Sequence, residues 1–167
     1  MKKLFCIITV FTFLLLCGCS ANNPNVTAIT ENLSFIAEID SNDEKFIFDV
    51  KISKEDDITF LVVSPERIKG TIFEYSGSKL KTNLGKLVYD LKISDLPKDS
   101  PIRLICEVFS NAKTRKDDVK LKNDEFFISG DTNTYSYKLY LGTTGLPLKI
   151  TDSKTHKTVI ISKATIT

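Results

Sequence analysis

Side chains suited to acid–base or metal chemistry are scarce in this chain of 167 residues, which has one histidine and four cysteines. His156 lies in a polar segment with Lys154 and Lys157 beside it, whereas the histidine of a Ser/His/Asp triad must be buried and oriented. The carboxylates at 55–57 and 117–118 do not match a calcium loop, and no zinc-ligand spacing or glycine-rich phosphate loop is present. The sequence therefore predicts a protein that is not an enzyme and holds no metal or cofactor.

The charge balance argues against a nucleic-acid partner. The chain has 23 Lys and Arg against 21 Asp and Glu, and the two surplus cations are Lys2 and Lys3 beside the initiator Met. The remainder is balanced, whereas nucleic-acid binding proteins carry a basic patch or stripe. Charged residues at 26% and hydrophobic residues at 42% are typical of a folded protein, and the length suits one domain.

The first twenty residues have the composition of an export signal. After Lys2 and Lys3, an uncharged run extends from Leu4 to Leu16, which is the size of a signal-peptide core and short of the ~18–20 residues that span a bilayer. The run ends Leu16-Cys17-Gly18-Cys19, which resembles the bacterial lipobox. The resemblance implies that Cys19 receives a diacylglyceryl group and becomes the first residue after cleavage. A simple secretory cleavage and an uncleaved anchor are the alternatives.

The lipobox resemblance leads to a predicted organisation. It comprises a signal peptide over 1–18, a lipidated Cys19 with a flexible tether over 19–32, and one domain over 33–167. Two acyl chains hold a protein stably on a membrane, so we expect a lipid-anchored protein on the extracytoplasmic face of the cell membrane. Cys6 and Cys17 leave with the signal peptide, which leaves Cys106 without a disulfide partner and, by its apolar surroundings, in the core.

Alternation of apolar and polar residues dominates from Leu33 onward and predicts β-strands with one apolar face. The run from Ile58 to Val63 is apolar except for Thr59, which predicts a strand covered on both faces. Ser76-Gly77 is a hairpin candidate. The predicted strands are 33–39, 45–52, 58–63, 69–75, 79–82, 87–93, 125–129, 135–141, 148–151 and 158–162.

One helix interrupts the strands. Ser100 is a favourable N-cap and Pro101 suits the first helical position. After Ser100 and Pro101, only four residues up to Ala112 are polar, and they form one narrow stripe, so the helix should be buried against the apolar face of the sheet. The charged segment 114–123 predicts a solvated connection. The polar stripe consists of Arg103, Glu107, Ser110 and Asn111.

Three local patterns resemble the LolA/LolB-like lipoprotein-carrier superfamily. They are the Pro-x-x-x-x-Gly connection in 64–70, the helix approach Leu96-Pro97 followed by Pro101-Ile102, and the strand, turn and strand of 137–150. The resemblance implies a mainly β (α+β) fold, with one strongly curved antiparallel half-barrel of roughly ten strands around a short helix on its concave face. It extends to small lipoproteins of low-GC Gram-positive bacteria, which the ratio of 20 Lys to 3 Arg fits.

The superfamily resemblance also implies a ligand, because such carriers hold acyl chains between the concave sheet and its helices. We therefore predict an apolar, lipid-like ligand in the concavity. Two alternatives remain: that the same side chains simply fill the core, or that the protein is an envelope adaptor that binds a protein partner. The predicted pocket residues are Phe35, Phe46, Phe48, Phe60, Tyr89 and Tyr137 from the sheet, with Leu104 and Phe109 from the helix.

Overall fold

The computed structural model describes residues 26–41, 44–84 and 87–167. Within them, eleven strands form one curved, unclosed antiparallel sheet that carries a short helix, as the predicted fold class requires. The helix, α1, spans Pro101–Thr114. The strands are β1 (Leu33–Ser41), β2 (Glu44–Ile52), β3 (Ile58–Ser64), β4 (Ile72–Ser76), β5 (Lys79–Leu84), β6 (Leu87–Lys92), β7 (Lys120–Lys122), β8 (Glu125–Asp131), β9 (Ser136–Leu141), β10 (Pro147–Asp152) and β11 (Thr158–Ile166).

The strand order divides the sheet into two wings around β1. The order is β6-β5-β4-β3-β2-β1-β11-β10-β9-β8-β7, so the chain runs outward through β2–β6, the first wing, and returns inward through β7–β11, the second wing. The helix α1 connects the two edge strands, β6 and β7. The single crossover among the described strands therefore carries the chain, and with it the helix, from one edge of the sheet to the other.

The helix forms where the sequence predicts it. Ser100 Oγ accepts a hydrogen bond from the Arg103 N–H at 3.5 Å, and Pro101 occupies the first helical position. All seven apolar residues predicted to be buried are buried, including Cys106. They are Ile102, Leu104, Ile105, Cys106, Val108, Phe109 and Ala112.

The folded domain begins earlier than predicted. Val26–Thr30 forms a 3₁₀ helix that packs against α1, and both Ala28 and Ile29 are buried. This turn lies within the segment 19–32 that the sequence analysis assigns to the tether. The apolar pair Ala28-Ile29 is too short to show a period, so only its contact with α1 identifies it as core.

The faces of the sheet follow the predicted alternation, with one correction. Along β1 the even positions are exposed or half-buried, whereas the odd positions, from Leu33 to Ile39, are buried. The strand β3 alternates in the same way, with Leu61 39% and Val63 40% exposed. The prediction that 58–63 is covered on both faces is therefore wrong, because the helix covers only the concave face.

A second correction concerns the charged segment 114–123, which contains the short strand β7 as well as a connection. Lys120–Lys122 pairs with Glu125–Phe127 around a two-residue turn. Both turn residues, Asn123 and Asp124, have positive φ, as the tight turns of β-hairpins require. All three residues of β7 are exposed, and the alternation Lys-Leu-Lys is too short to predict a strand.

Candidate functional site

Six of the eight predicted pocket residues belong to one closed hydrophobic core and are at most 2% exposed. The rings of Phe35 on β1 and Phe109 on α1 stack at 5.3 Å between centroids. Since this contact joins sheet to helix directly, the space between them is filled at that point. The six residues are Phe35, Phe48, Phe60, Leu104, Phe109 and Tyr137.

The neighbouring aromatic residues of β2 and β3 pack on one another. Phe48 meets Phe60 edge to face at 6.1 Å, and Phe46 stacks on Phe48 at 6.3 Å. Phe46 is half-buried at the margin of this cluster. These rings therefore support one another as core contacts, each of the kind that adds about 1 kcal/mol beyond burial of area.

Tyr89 lies outside that core. It is 49% exposed on the edge strand β6, where it pairs with Thr82 of β5. Because β6 is an edge strand, Tyr89 lies at the margin of the concavity and not between helix and sheet; that it contacts a ligand stays a prediction. Its ring lies on the concave face, at the open margin of the first wing.

Tyr137 is buried and its hydroxyl is occupied. The Tyr137 hydroxyl hydrogen-bonds Asn111 Oδ1 at 2.8 Å, and burial raises the pKa of the phenol to about 12. Gly130 packs against this pair: a Cβ on Gly130 would lie 2.7 Å from Asn111 Oδ1 and 2.8 Å from Tyr137 Oη. The contact requires a glycine on β8, because any side chain would separate helix from sheet.

The concave face is covered unevenly. In the second wing, which α1 contacts through β8 and β9, the inward residues Ile128, Leu139 and Ile150 are completely buried. In the first wing, the inward residues Phe73, Tyr75 and Leu91 pack against the core but stay half-buried. The helix therefore covers β8–β10 of the second wing and leaves part of the first wing uncovered, while Leu121 on the far edge strand β7 is 46% exposed.

The uncovered part is a continuous apolar surface, which we call the open wing. The register places Phe73, Thr82 and Tyr89 side by side on β4, β5 and β6, and Tyr75, Leu80 and Leu91 in the next row. Thr82 and Leu80 are buried, so the smaller side chains form a floor between larger ones. The open wing consists of Phe73, Tyr75, Tyr89 and Leu91, with Ile93 and Leu96 from the segment that leads to α1.

Sequence reasoning missed five of these six residues. The hairpin turn consists of Gly77 and Ser78, one residue later than the predicted Ser76-Gly77, and it places Tyr75 opposite Leu80. The sequence therefore indicates the hairpin without its register. It also leaves open where the helix packs, since an apolar helix can pack against either half of an apolar sheet.

Two polar groups border the open wing. Thr71 is 5% exposed, and its Oγ1 has no hydrogen-bond partner in the described part of the chain. Tyr75 lies beside Ser110 of α1; burial raises the pKa of its phenol, and a hydrogen bond to Ser110 opposes that shift. The surface is therefore apolar with hydroxyl groups at its margins.

Arg103 and Glu107 of the polar stripe of α1 form an ion pair and are hydrogen-bonded to neighbouring groups of the protein. Arg103 Nε donates to Glu107 Oε1 at 2.8 Å, and Thr132 Oγ1 donates to Glu107 Oε2 at 2.8 Å. The Arg103 guanidinium also donates to the carbonyl oxygen of Leu96 at 2.9 Å. These groups form a saturated ion-pair network that fixes the helix to the loop between β8 and β9.

Reactive groups are either buried or isolated in the described residues. Cys106 is completely buried, and burial raises the pKa of its thiol well above the usual value, which suppresses the reactive thiolate. His156 is exposed in the turn between β10 and β11. Among the described residues, no three or more His, Cys, Asp or Glu side chains come close enough to hold a metal ion.

Surface cavities lie elsewhere on the sheet. Three have volumes of about 470, 370 and 380 Å³, and Tyr137 is the one predicted pocket residue among their linings. The predicted lipidation site, Cys19, lies outside the described residues. Within the described ranges, no helix has the length and apolar character to cross a bilayer.

Comparisons with known proteins give a likeness of fold. No protein-family model matches the chain, and no curated protein matches it. An uncharacterized conserved protein from Thermus thermophilus is similar in structure, with a TM-score of 0.53 and 11% identity over 85% of this chain and 83% of that one. The LolA superfamily protein NE2245 from Nitrosomonas europaea aligns at a TM-score of 0.45 and 10% identity over 83% and 87%. The first of these likenesses shows that this chain shares its fold with another protein.

Proposed function

We propose that this protein is a membrane-anchored, extracytoplasmic, non-enzymatic lipoprotein that binds an apolar, lipid-like ligand on the open wing. The observation that carries the proposal is the uneven cover of the concave face. Phe73, Tyr75 and Leu91 are half-buried on one wing, whereas Ile128, Leu139 and Ile150 of the other wing are completely buried.

The chemistry of the open wing fits an acyl chain. None of its six residues is charged, and the charged neighbours Asp90 and Lys92 alternate with Tyr89 and Leu91 onto the outer face of β6. Each methylene removed from water there contributes about 0.8 kcal/mol, so four of them offset about 3 kcal/mol of ordering cost. The floor residue Leu80 and the flanking aromatic rings supply contact on several sides of such a chain.

The anchor supplies the setting for this binding. With Cys19 acylated, the domain would stay next to a bilayer, where lipid is abundant and affinity need not be high. Replacing Cys19 with Ala should release the protein into the medium and abolish labelling by a fatty-acid probe. Continued labelling of the Cys19→Ala variant would refute the anchor without bearing on the open wing.

Neighbouring residues on β6 provide a matched test of the ligand site. Tyr89→Asp introduces a charge on the concave face, whereas Val88→Asp introduces the same charge on the outer face, and both positions are about half exposed. With the full chain in membranes containing a photoreactive fatty acid, Tyr89→Asp should lower crosslinking about tenfold, the factor that 1.4 kcal/mol represents. Val88→Asp should leave it unchanged. Equal crosslinking of both variants would contradict the proposal.

The free edge of β6 favours a second candidate, an adaptor that binds a protein partner. Val88 is 56% exposed and Tyr89 49% exposed on the last strand of the first wing, an edge to which another strand could pair. An adaptor predicts a partner that crosslinks to β6 on cells and is lost in Val88→Asp. Loss of the partner with retention of lipid labelling would assign the two functions to the two faces of the strand.

A further inference from the structure

The balanced net charge of the domain conceals a difference between its two wings. Residues 44–92, which contain the first wing, carry nine Lys and Arg against eight Asp and Glu, whereas residues 120–166, which contain the second wing, carry seven against four. The topology keeps the wings apart, because β1 lies between them. The first wing is therefore nearly neutral, and the second wing has a surplus of positive charge.

Lysines of the second wing meet on its outer face, opposite the helix. The register places Lys120, Phe127, Tyr140 and Lys149 in one row across β7–β10, and Lys138 in the next row. The alternate residues Ile128, Leu139 and Ile150 face the core, which fixes the direction of the row. We call the outer-face lysines Lys120, Lys122, Lys138 and Lys149 the basic face.

Aromatic rings support the cations of the basic face. Lys138 Nζ lies 5.2 Å from the ring centroid of Phe127, and Lys149 Nζ lies 4.1 Å from that of Tyr140. The two rings are 5.9 Å apart. Attraction to the ring faces holds these two ammonium groups beside Phe127 and Tyr140 on the outer face.

Apolar side chains border the same cations. Leu148 is 51% exposed beside Lys149, and Ile160 of β11, which pairs with Lys149, is 49% exposed. Two carboxylates also lie on this face: Glu125, which accepts from Lys149 at 3.2 Å, and Asp131. The surface is thus a cationic and apolar mixture with a surplus of positive charge.

We propose that the basic face lies against an anionic lipid surface. Charge complementarity selects this occupant: lysines among exposed aliphatic and aromatic groups match the headgroup region of a bilayer that carries acidic phospholipids. The proposal goes beyond the ligand site, which is on the opposite face of the sheet, and rests on the anchoring part of the proposed function. Docking in this way leaves the concave face, and with it the open wing, directed away from the lipid surface.

Lysine acylation on proteoliposomes tests this orientation with the full chain. The protein is reconstituted into vesicles of phosphatidylcholine alone or with an equal amount of phosphatidylglycerol, then labelled with a water-soluble amine reagent and analysed by mass spectrometry. Lys120, Lys122 and Lys138 should be labelled at least about threefold less on the anionic vesicles, and the protection should fade as salt is raised. The matched controls are Lys51 and Lys81, exposed outer-face lysines of the first wing, which should label equally on both.

The outcomes separate this proposal from the anchor. Flotation with both kinds of vesicle reports the anchor alone, whereas protection confined to the basic face reports the docking. Equal labelling of Lys120 and Lys138 on the two vesicle types would overturn the proposal, as would equal protection of Lys51 and Lys81. A triple variant with Lys120, Lys122 and Lys138 replaced by Gln should float normally. Its Lys149 should be labelled equally on the two kinds of vesicle.

Discussion

Arg103 and Glu107 lie one turn apart on α1, and the Arg103 Nε donates to Glu107 Oε1 at 2.8 Å with both side chains largely buried. Glu107 also accepts hydrogen bonds from the hydroxyl groups of Thr132 and Thr134. The polar stripe that marks the helix in the sequence is therefore the point where the helix is fixed to the second wing. This attachment holds the helix against the second wing.

Glu107→Ala should destabilise the fold by about 2–4 kcal/mol, because it leaves the Arg103 guanidinium largely buried without its carboxylate. The measurement is urea unfolding followed by circular dichroism. Glu66→Ala is the matched control, since Glu66 pairs with Lys69 on the surface and such pairs contribute less than about 1 kcal/mol. Equal effects of the two substitutions would show that the network on α1 does not hold the helix.

The carboxyl group of Asp152 makes the stability of the fold depend on pH. Burial acts to raise the pKa of its carboxyl, but hydrogen bonds from the Thr155 hydroxyl and from the N–H groups of Thr155, Ser136 and Lys154 outweigh burial and lower it. A lowered pKa in the folded state stabilises the fold above the ordinary carboxyl pKa, and this stabilisation is lost as the pH falls through the folded pKa.

The unfolding free energy should therefore be less sensitive to acid in Asp152→Asn than in the wild type, with the two curves converging at low pH. Near neutral pH the variant should be less stable by about 1–3 kcal/mol, because the amide cannot accept all of these bonds. The measurement is chemical unfolding between about pH 3 and pH 7. Parallel curves over the whole range would contradict the assigned role of Asp152.

Gly130→Ala should destabilise the protein by about 1–3 kcal/mol, because the added Cβ would lie 2.7 Å from Asn111 Oδ1. Gly142→Ala is the control, since its nearest neighbours would be 3.8 Å away. Thermal unfolding compares the two. Combining Gly130→Ala with Asn111→Ala should recover part of the lost stability. If no stability is recovered, the destabilisation does not come from contact with Asn111.

Phe109→Leu and Tyr89→Leu test which aromatic residues are core. Phe109 is 1% exposed and stacks on Phe35, so shortening it should cost about 1–3 kcal/mol through lost contact and a cavity. Tyr89 is 49% exposed, so its substitution should change the unfolding free energy by less than about 0.5 kcal/mol. A large loss from Tyr89→Leu would mean that the open wing is closed.

The sequence predicts the fold class well because its signals are local. Alternation in 33–39 and the cap at Ser100 place strand and helix without reference to the rest of the chain, and the structure confirms both. The sequence does not indicate the short strand β7, because its three residues, Lys-Leu-Lys, are too few for their alternation to predict a strand within a charged segment. Its one local signal is the pair Asn123-Asp124, whose positive φ angles form the turn.

The candidate site depends on packing, which local patterns do not contain. An aromatic row on a strand is the same pattern whether a helix covers it, as at Phe35, or leaves it open, as at Tyr89. The bonds between Glu107 and the β8–β9 loop, which hold the helix to the second wing, join residues 25 and 27 positions apart. Only the assembled sheet shows which wing those bonds bring under the helix.

The residues at which a bound fatty acid crosslinks to the protein test the central claim, ligand binding on the open wing, most directly. The full chain, in membranes that contain a fatty acid with a photoreactive group at the end of its chain, is irradiated and digested, and the crosslinked residue is identified by mass spectrometry. The account predicts crosslinks on the concave residues of β4–β6 and the segment that follows, above all at Phe73, Tyr89 and Leu91. Crosslinks that avoid residues 72–96 while the protein remains folded would contradict it.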